Sequence, residues 1–266
     1  MTRDALRAEW TKLRTLPGTG WLLLAVAVLT IAVSAAAAAA FSCSPARQGC
    51  LPAQTGADPA KISLTGLYLG QAVVAVLGAM VIGGEYGTGM IRVTLAALPR
   101  RVTVLTAKAA LTAAFALAAG LLAVGGSALA GRLILPGHGL NAANGYAQFS
   151  LGNGADLRAA GGSVLYLVLI GLLALGITTA VRDSAAGVGL VLGLLYLFPL
   201  LTAVVPDHVL ARHLEQIAPM TAGLYIQATV GIQSLPLTPW QGLGVTALWA
   251  AGALLLGGAV LRLRDA

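Results

Sequence analysis

Groups able to do chemistry are few in this chain, and their spacing excludes more than it supports. The histidines are His138, His208 and His213. His208, His213 and Glu215 lack the i, i+4 spacing by which a His-Glu-x-x-His helix turns two imidazoles toward zinc. No metal site is expected. No serine stands in a Gly-x-Ser-x-Gly elbow, which removes the usual hydrolase nucleophile. The lysines Lys12, Lys61 and Lys108 never follow a glycine, so the Gly-Lys-Ser/Thr core of a phosphate-cradling loop is absent. The chain cannot bind ATP in that manner, and neither an enzyme nor a resident cofactor is expected.

The remaining polar concentration is the stretch GEYGTGMIRVTLAALPRR, Gly84 to Arg101, set between two long apolar runs. Thr88 or Gly89 can cap a short helix on which Ile91, Thr94, Leu95 and Leu98 share a face. Pro99 stops that helix, and Arg100 and Arg101 suit an anionic membrane surface. Gly87 and Gly89 permit the backbone to reverse after Glu85. This pattern fits a hairpin made to be touched by another protein; it also fits an ordinary loop that needs turns and arginines.

The elements around it follow from composition. With 58% hydrophobic and 9% charged residues, the chain lies far from the globular norm of about 25% charged. It reads as an all-α integral membrane protein, with a single transmembrane domain over residues 1–266. Six runs approach the roughly 20 residues that a helix needs to cross about 30 Å of hydrocarbon. They cover about 21–41, 64–84, 104–130, 163–181, 186–205 and 240–261. Only the third contains a charge, Lys108, whose long stem can carry the ammonium back to the headgroups. Gln71, Thr112, Ser127, Thr178 and Thr179 are the polar span residues, expected to bond between helices. Gly and Ala within the spans favour close helix contact.

Orientation rests on Lys and Arg. With the N-terminus inside, eleven of them are cytoplasmic and five are not. Both termini are therefore expected in the cytoplasm, and the net charge of +7 serves topology and attraction to the lipid bilayer, not nucleic acid. Before Trp21, Leu6, Trp10 and Leu13 recur near helical spacing. They describe a short interfacial helix over 1–18, with Pro17 and Gly18 bending the chain into the first span. An unstructured basic tail is one alternative; a cleaved signal peptide is another, but the apolar run exceeds a typical h-region and five more spans follow. Cys43 and Cys50 fall in the loop after the first span, on the outer side. There they form either a small disulfide ring or two free thiols.

Three segments in series, AEWTKLRT, then GEYGTGMIRVTLAALPRR with AKAAL, then ALGITTAVRDSAAGVGLVLGLLYLFPLL, resemble the membrane subunit of a type-2 ABC transporter. The resemblance is to the ABC-2 permeases common in high-GC Gram-positive bacteria. It implies an N-terminal elbow helix over Arg3 to Leu16 and a cytoplasmic coupling helix within Glu85 to Arg101. On it, Glu85, Tyr86, Thr88, Gly89, Arg92, Pro99 and Arg100 would meet an ABC ATPase subunit. It also implies a bacterial plasma-membrane location, a second permease subunit to complete a homo- or heterodimer, and ATP and Mg bound by the partner ATPase. Exoplasmic re-entrant helices would lie between the last two spans, where Leu224, Tyr225, Ala228 and Ile232 are spaced as one helical face. The implied function is export of an amphipathic, lipid-like, drug or peptide substrate. An ATP-independent secondary transporter or channel, or an accessory membrane subunit, are the alternatives. The loop over 132–162, rich in Gly and Asn, reads as irregular.

Overall fold

Long runs of Ala, Leu, Val and Gly without interior charge give helices. The computed structural model describes residues 17–41, 56–97, 101–150 and 152–263, with no strand among them. The elements are α1 (Pro17–Ala40), α2 (Pro59–Ser63), α3 (Leu67–Gly87), α4 (Met90–Ala97), α5 (Arg101–Ile134), α6 (Gly154–Val181), α7 (Ser184–Val204), α8 (His208–Ile217), α9 (Pro219–Leu224) and α10 (Pro239–Leu263). Among the described residues, six helices are long and apolar enough to cross a membrane: α1, α3, α5, α6, α7 and α10. Their alternation puts the start of α1 and the end of α10 at one end of the bundle, with α4. We call this the hairpin end, and its opposite the loop end.

α3 and α6 are the most enclosed spans, and the other four wrap them. The core runs through Val74, Leu167, Ile170 and Leu173, joined by Leu195 of α7 and Ala250 of α10. Lipid offers no hydrophobic drive for helices to associate, so close backbone approach must supply the attraction. A Cβ at Gly78 of α3 would overlap the Gly171 carbonyl of α6, and one at Gly257 of α10 would lie 2.6 Å from the Gly176 carbonyl. Gly78→Leu is therefore expected to force α3 and α6 apart. The cost should be at the upper end of the roughly 1–3 kcal/mol typical of overpacking, visible as a lower melting temperature in detergent.

Several expectations are revised. The interfacial helix expected over 1–18 lies outside the described residues except Pro17 and Gly18, which open α1. Proline suits that position because the first helical N–H has no partner to lose. α5 begins at Arg101 and α6 at Gly154, so both outrun the expected spans. Much of the presumed irregular loop is thus helix. Asn153 caps α6 by accepting the Ala155 N–H at 3.2 Å, and Asp156 in its first turn accepts the Ser150 N–H at 2.9 Å. That is the side chain to backbone pattern that starts helices. Leu224, Tyr225, Ala228 and Ile232 do not share one helix. α9 ends at Leu224, and separate 3₁₀ turns hold Tyr225–Gln227 and Ile232–Ser234.

At the loop end, a single carboxylate joins segments far apart in sequence. Asp58 caps α2 through Ala60 and Lys61, both at 3.1 Å, and also accepts the Thr229 hydroxyl at 2.7 Å and the Val230 N–H at 3.0 Å. Arg158 of α6 donates to the Ala228 carbonyl beside it. Of the polar span residues, Gln71 bonds across helices, receiving the Tyr166 hydroxyl and donating to the Tyr68 carbonyl of its own helix at 3.2 Å. Thr179 bonds back to Leu175 within α6 at 2.6 Å. Thr112, Ser127 and Thr178 are buried without a hydroxyl partner among the described residues.

Candidate coupling site

The hairpin is built by a stop, a reversal and a restart. Thr88 closes α3, its hydroxyl donating to the Gly84 carbonyl at 2.8 Å, while the Gly89 N–H donates to Tyr86 at 3.2 Å. Thr88 therefore caps the helix before the turn and not the short helix after it. Gly89 has φ +70°, in the left-handed region that an L side chain resists, and this lets the chain fold back. α4 then starts at Met90. Ile91 is buried, whereas Val93 is 71% exposed and Met90 47% exposed. An eight-residue helix with large apolar side chains held out is an incompletely buried surface.

The sequence placed Glu85 beyond the end of a span. In the fold α3 continues through it to Gly87, and Glu85 is buried. Its Oε1 meets Lys108 Nζ of α5 at 2.9 Å, and the ammonium also donates to the Val81 carbonyl at 3.3 Å. Lys108 is 0% exposed, so it does not reach the headgroups. The opposite charge one helix away is the nearer partner, and a charge-assisted bond replaces hydration that the bundle has removed. The pair fastens α3 to α5 just behind the hairpin.

Two arginines fasten the same end to α10. The last carbonyls of a helix have no partner within it and carry its negative dipole end, so cations suit them. Arg101, at the first turn of α5, donates to the Leu261 carbonyl at 2.7 Å, and Arg182 donates to the Val260 carbonyl at 3.2 Å. Arg182 ends α6 with φ 63°, the only non-glycine residue with positive φ among the described residues. Asp183 next to it caps α7, accepting the Ala186 N–H at 2.7 Å. Tyr86 is half-buried against Val81, Leu105 and Leu261, with its hydroxyl 3.5 Å from the Thr179 carbonyl.

The structure therefore divides the expected site residues. Glu85 and Tyr86 turn into the bundle and brace it. Thr88 and Gly89 form the exposed turn, and the backbone of Arg92 belongs to α4. Pro99 and Arg100 lie outside the described residues, as do Cys43 and Cys50. Lys108, Arg101 and Arg182 complete the bracing. Their signal was available in part, since Glu85 and Lys108 are opposite charges near facing ends of two spans joined by a short hairpin. These features define a multi-pass helical membrane protein with a braced helical hairpin at one end of its bundle. No protein-family model and no curated protein matches the chain.

Proposed function

We propose that the chain is the membrane-spanning permease subunit of an ATP-driven exporter, docking through α4 on a separate ABC ATPase. The observation that carries this reading is α4 itself, a short helix with Met90 and Val93 held out, set between the end of α3, tied to α5 through Glu85 and Lys108, and the start of α5, tied to α10 through Arg101. A helix that must report nucleotide-driven motion needs a face for its partner and a stiff attachment to what it moves. In this scheme both termini and α4 are cytoplasmic in a bacterial plasma membrane, the first residues form the interfacial elbow, and two permease subunits stand side by side. ATP and Mg bind in the ATPase. The ATPase can shift the permease only if α4 fits its open and closed forms with different affinity.

The same reading assigns α8 and α9 as the re-entrant elements on the outer side. The Trp249 indole donates to the Ile217 carbonyl at 2.8 Å and the Thr246 hydroxyl to the Pro219 carbonyl at 2.8 Å. Both partners sit well inside α10, which supports a dip of this segment into the outer leaflet. The Glu85–Lys108 pair is the feature that a proton-coupled carrier would use. It lies near the end of its spans, however, whereas such carriers place their coupling sites near the midplane.

The test is a crosslink. A cysteine at Val93, in the tagged chain purified in mild detergent from its host, should trap an ATPase in stoichiometric yield. A clean complex with no nucleotide-binding protein would discard the exporter reading in favour of a carrier or channel.

A further inference from the structure

Glu215 of α8 lies two residues before Ile217, and Ile217 is tied to Trp249, ten residues past Pro239 in α10. At 1.5 Å per residue, that is about 15 Å along the helix from its loop-end start. A carboxylate at such a level is strongly disfavoured against lipid, and α8 also exposes Arg212 and His213. Its polar face must meet water, protein or a polar ligand.

The surroundings of Glu215 are aromatic. The Tyr225 hydroxyl donates to Glu215 Oε2 at 3.1 Å. Burial first, then the Glu215 carboxylate and Tyr68, push the Tyr225 phenol well above its ordinary value against the pull of Arg212, so it stays a neutral donor. Tyr68 is thus a near neighbour, and the Tyr196 hydroxyl donates to the Tyr68 carbonyl. Tyr68 is 37% exposed, and its own hydroxyl has no partner among the described residues. Among those residues no cation lies within ion-pair distance of Glu215. A carboxylate without an ion-pair partner, hydrogen-bonded to one tyrosine and with further tyrosines on α3 and α7, is the chemistry that holds desolvated ammonium groups by charge and by ring faces.

We propose that this face of α3, α7 and α8 binds hydrophobic organic cations, with Glu215 as counter-ion and Tyr225, Tyr68 and Tyr196 as the aromatic wall. The inference rests on the export reading for its meaning and narrows the substrate class to amphiphilic amines and quaternary ammonium compounds. Arg212, three residues before Glu215 on the same helix, opposes the ligand from the exposed rim.

Two ions of equal shape and opposite charge test it: tetraphenylphosphonium and tetraphenylborate, titrated against the full chain in lipid nanodiscs. The cation should bind more tightly than the anion. Glu215→Gln should weaken cation binding roughly tenfold, the scale of a partly desolvated charge contact, and Arg212→Gln should strengthen it a few-fold. Opposite signs at two neighbouring positions are not what simple partitioning into an apolar surface produces. Equal affinity for both ions, or an unchanged cation affinity in Glu215→Gln at a wild-type melting temperature, overturns the site. If Glu215→Gln does not fold, Arg212→Gln decides, and no gain in cation affinity overturns it. Because the Val93 crosslink tests the ATPase separately, cation binding without an ATPase would keep the site and discard the exporter.

Discussion

Lys108→Met should destabilise the bundle by about 3–5 kcal/mol, the range for removing one partner of a buried ion pair. The loss comes less from the missing attraction than from the Glu85 carboxylate left inside the protein. Lys108 is fully buried and Glu85 nearly so, which leaves water little access to compensate. The double variant Glu85→Leu/Lys108→Met should recover most of the loss, because apolar side chains of similar volume can replace a buried pair at little net cost. Thermal melting of the single and the double variant beside wild type in detergent measures this. A single variant within about 0.5 kcal/mol of wild type, the usual effect of a surface substitution, would mean that the pair is solvated. On the exporter reading the double variant also separates folding from function: restored stability with transport still impaired would show that the pair braces the hairpin during the cycle.

What could be read from the sequence follows the strength of the physical signal. Six spans were legible because hydrocarbon demands long uncharged runs, and no other arrangement of this composition satisfies the backbone. Their ends were not. α3 runs past Gly83 and Gly84 to bury Glu85, and α6 starts at Gly154 although the chain there is polar and glycine-rich. Hydropathy reports where lipid begins, whereas a helix ends where its last carbonyls and first amides find other partners. Lys108 was misjudged for a related reason. Its stem suggested escape to the surface, and only the packing of α3 against α5 discloses a carboxylate at 2.9 Å. Of the two residues offered as the cap of the short helix, Thr88 closes α3 instead and Gly89 directly precedes α4, since a threonine beside a glycine suits either side of a turn. The arrangement of Arg101 and Arg182 on the end of α10 depends on tertiary contacts between residues 160 and 78 positions apart, which local pattern does not carry.

On the exporter reading, Gly89→Pro should abolish coupling while leaving the spans intact. Proline fixes φ near −65°, and Gly89 sits at +70°, so the hairpin cannot keep its reversal. The displaced element is α4 and not the core, because a side chain built at Gly89 meets nothing within 4 Å and the residue is exposed. Gly89→Ala asks less, about 1–2 kcal/mol for an L residue held in the left-handed region, and should give a partial defect. Arg92→Glu keeps the backbone but reverses a charge on α4, so it tests recognition apart from shape. On the exporter reading, Gly89→Pro and Arg92→Glu each lower ATP-driven transport by at least tenfold, about 1.4 kcal/mol or more of coupling, with membrane insertion and melting temperature close to wild type. Transport by reconstituted complexes, measured beside ATP hydrolysis, reads this directly. Two outcomes would be distinct in meaning. Hydrolysis that persists without transport locates the break between α4 and the bundle, whereas loss of the ATPase from the complex locates it at the docking surface. Full transport in both variants at normal expression would remove α4 from the coupling path altogether.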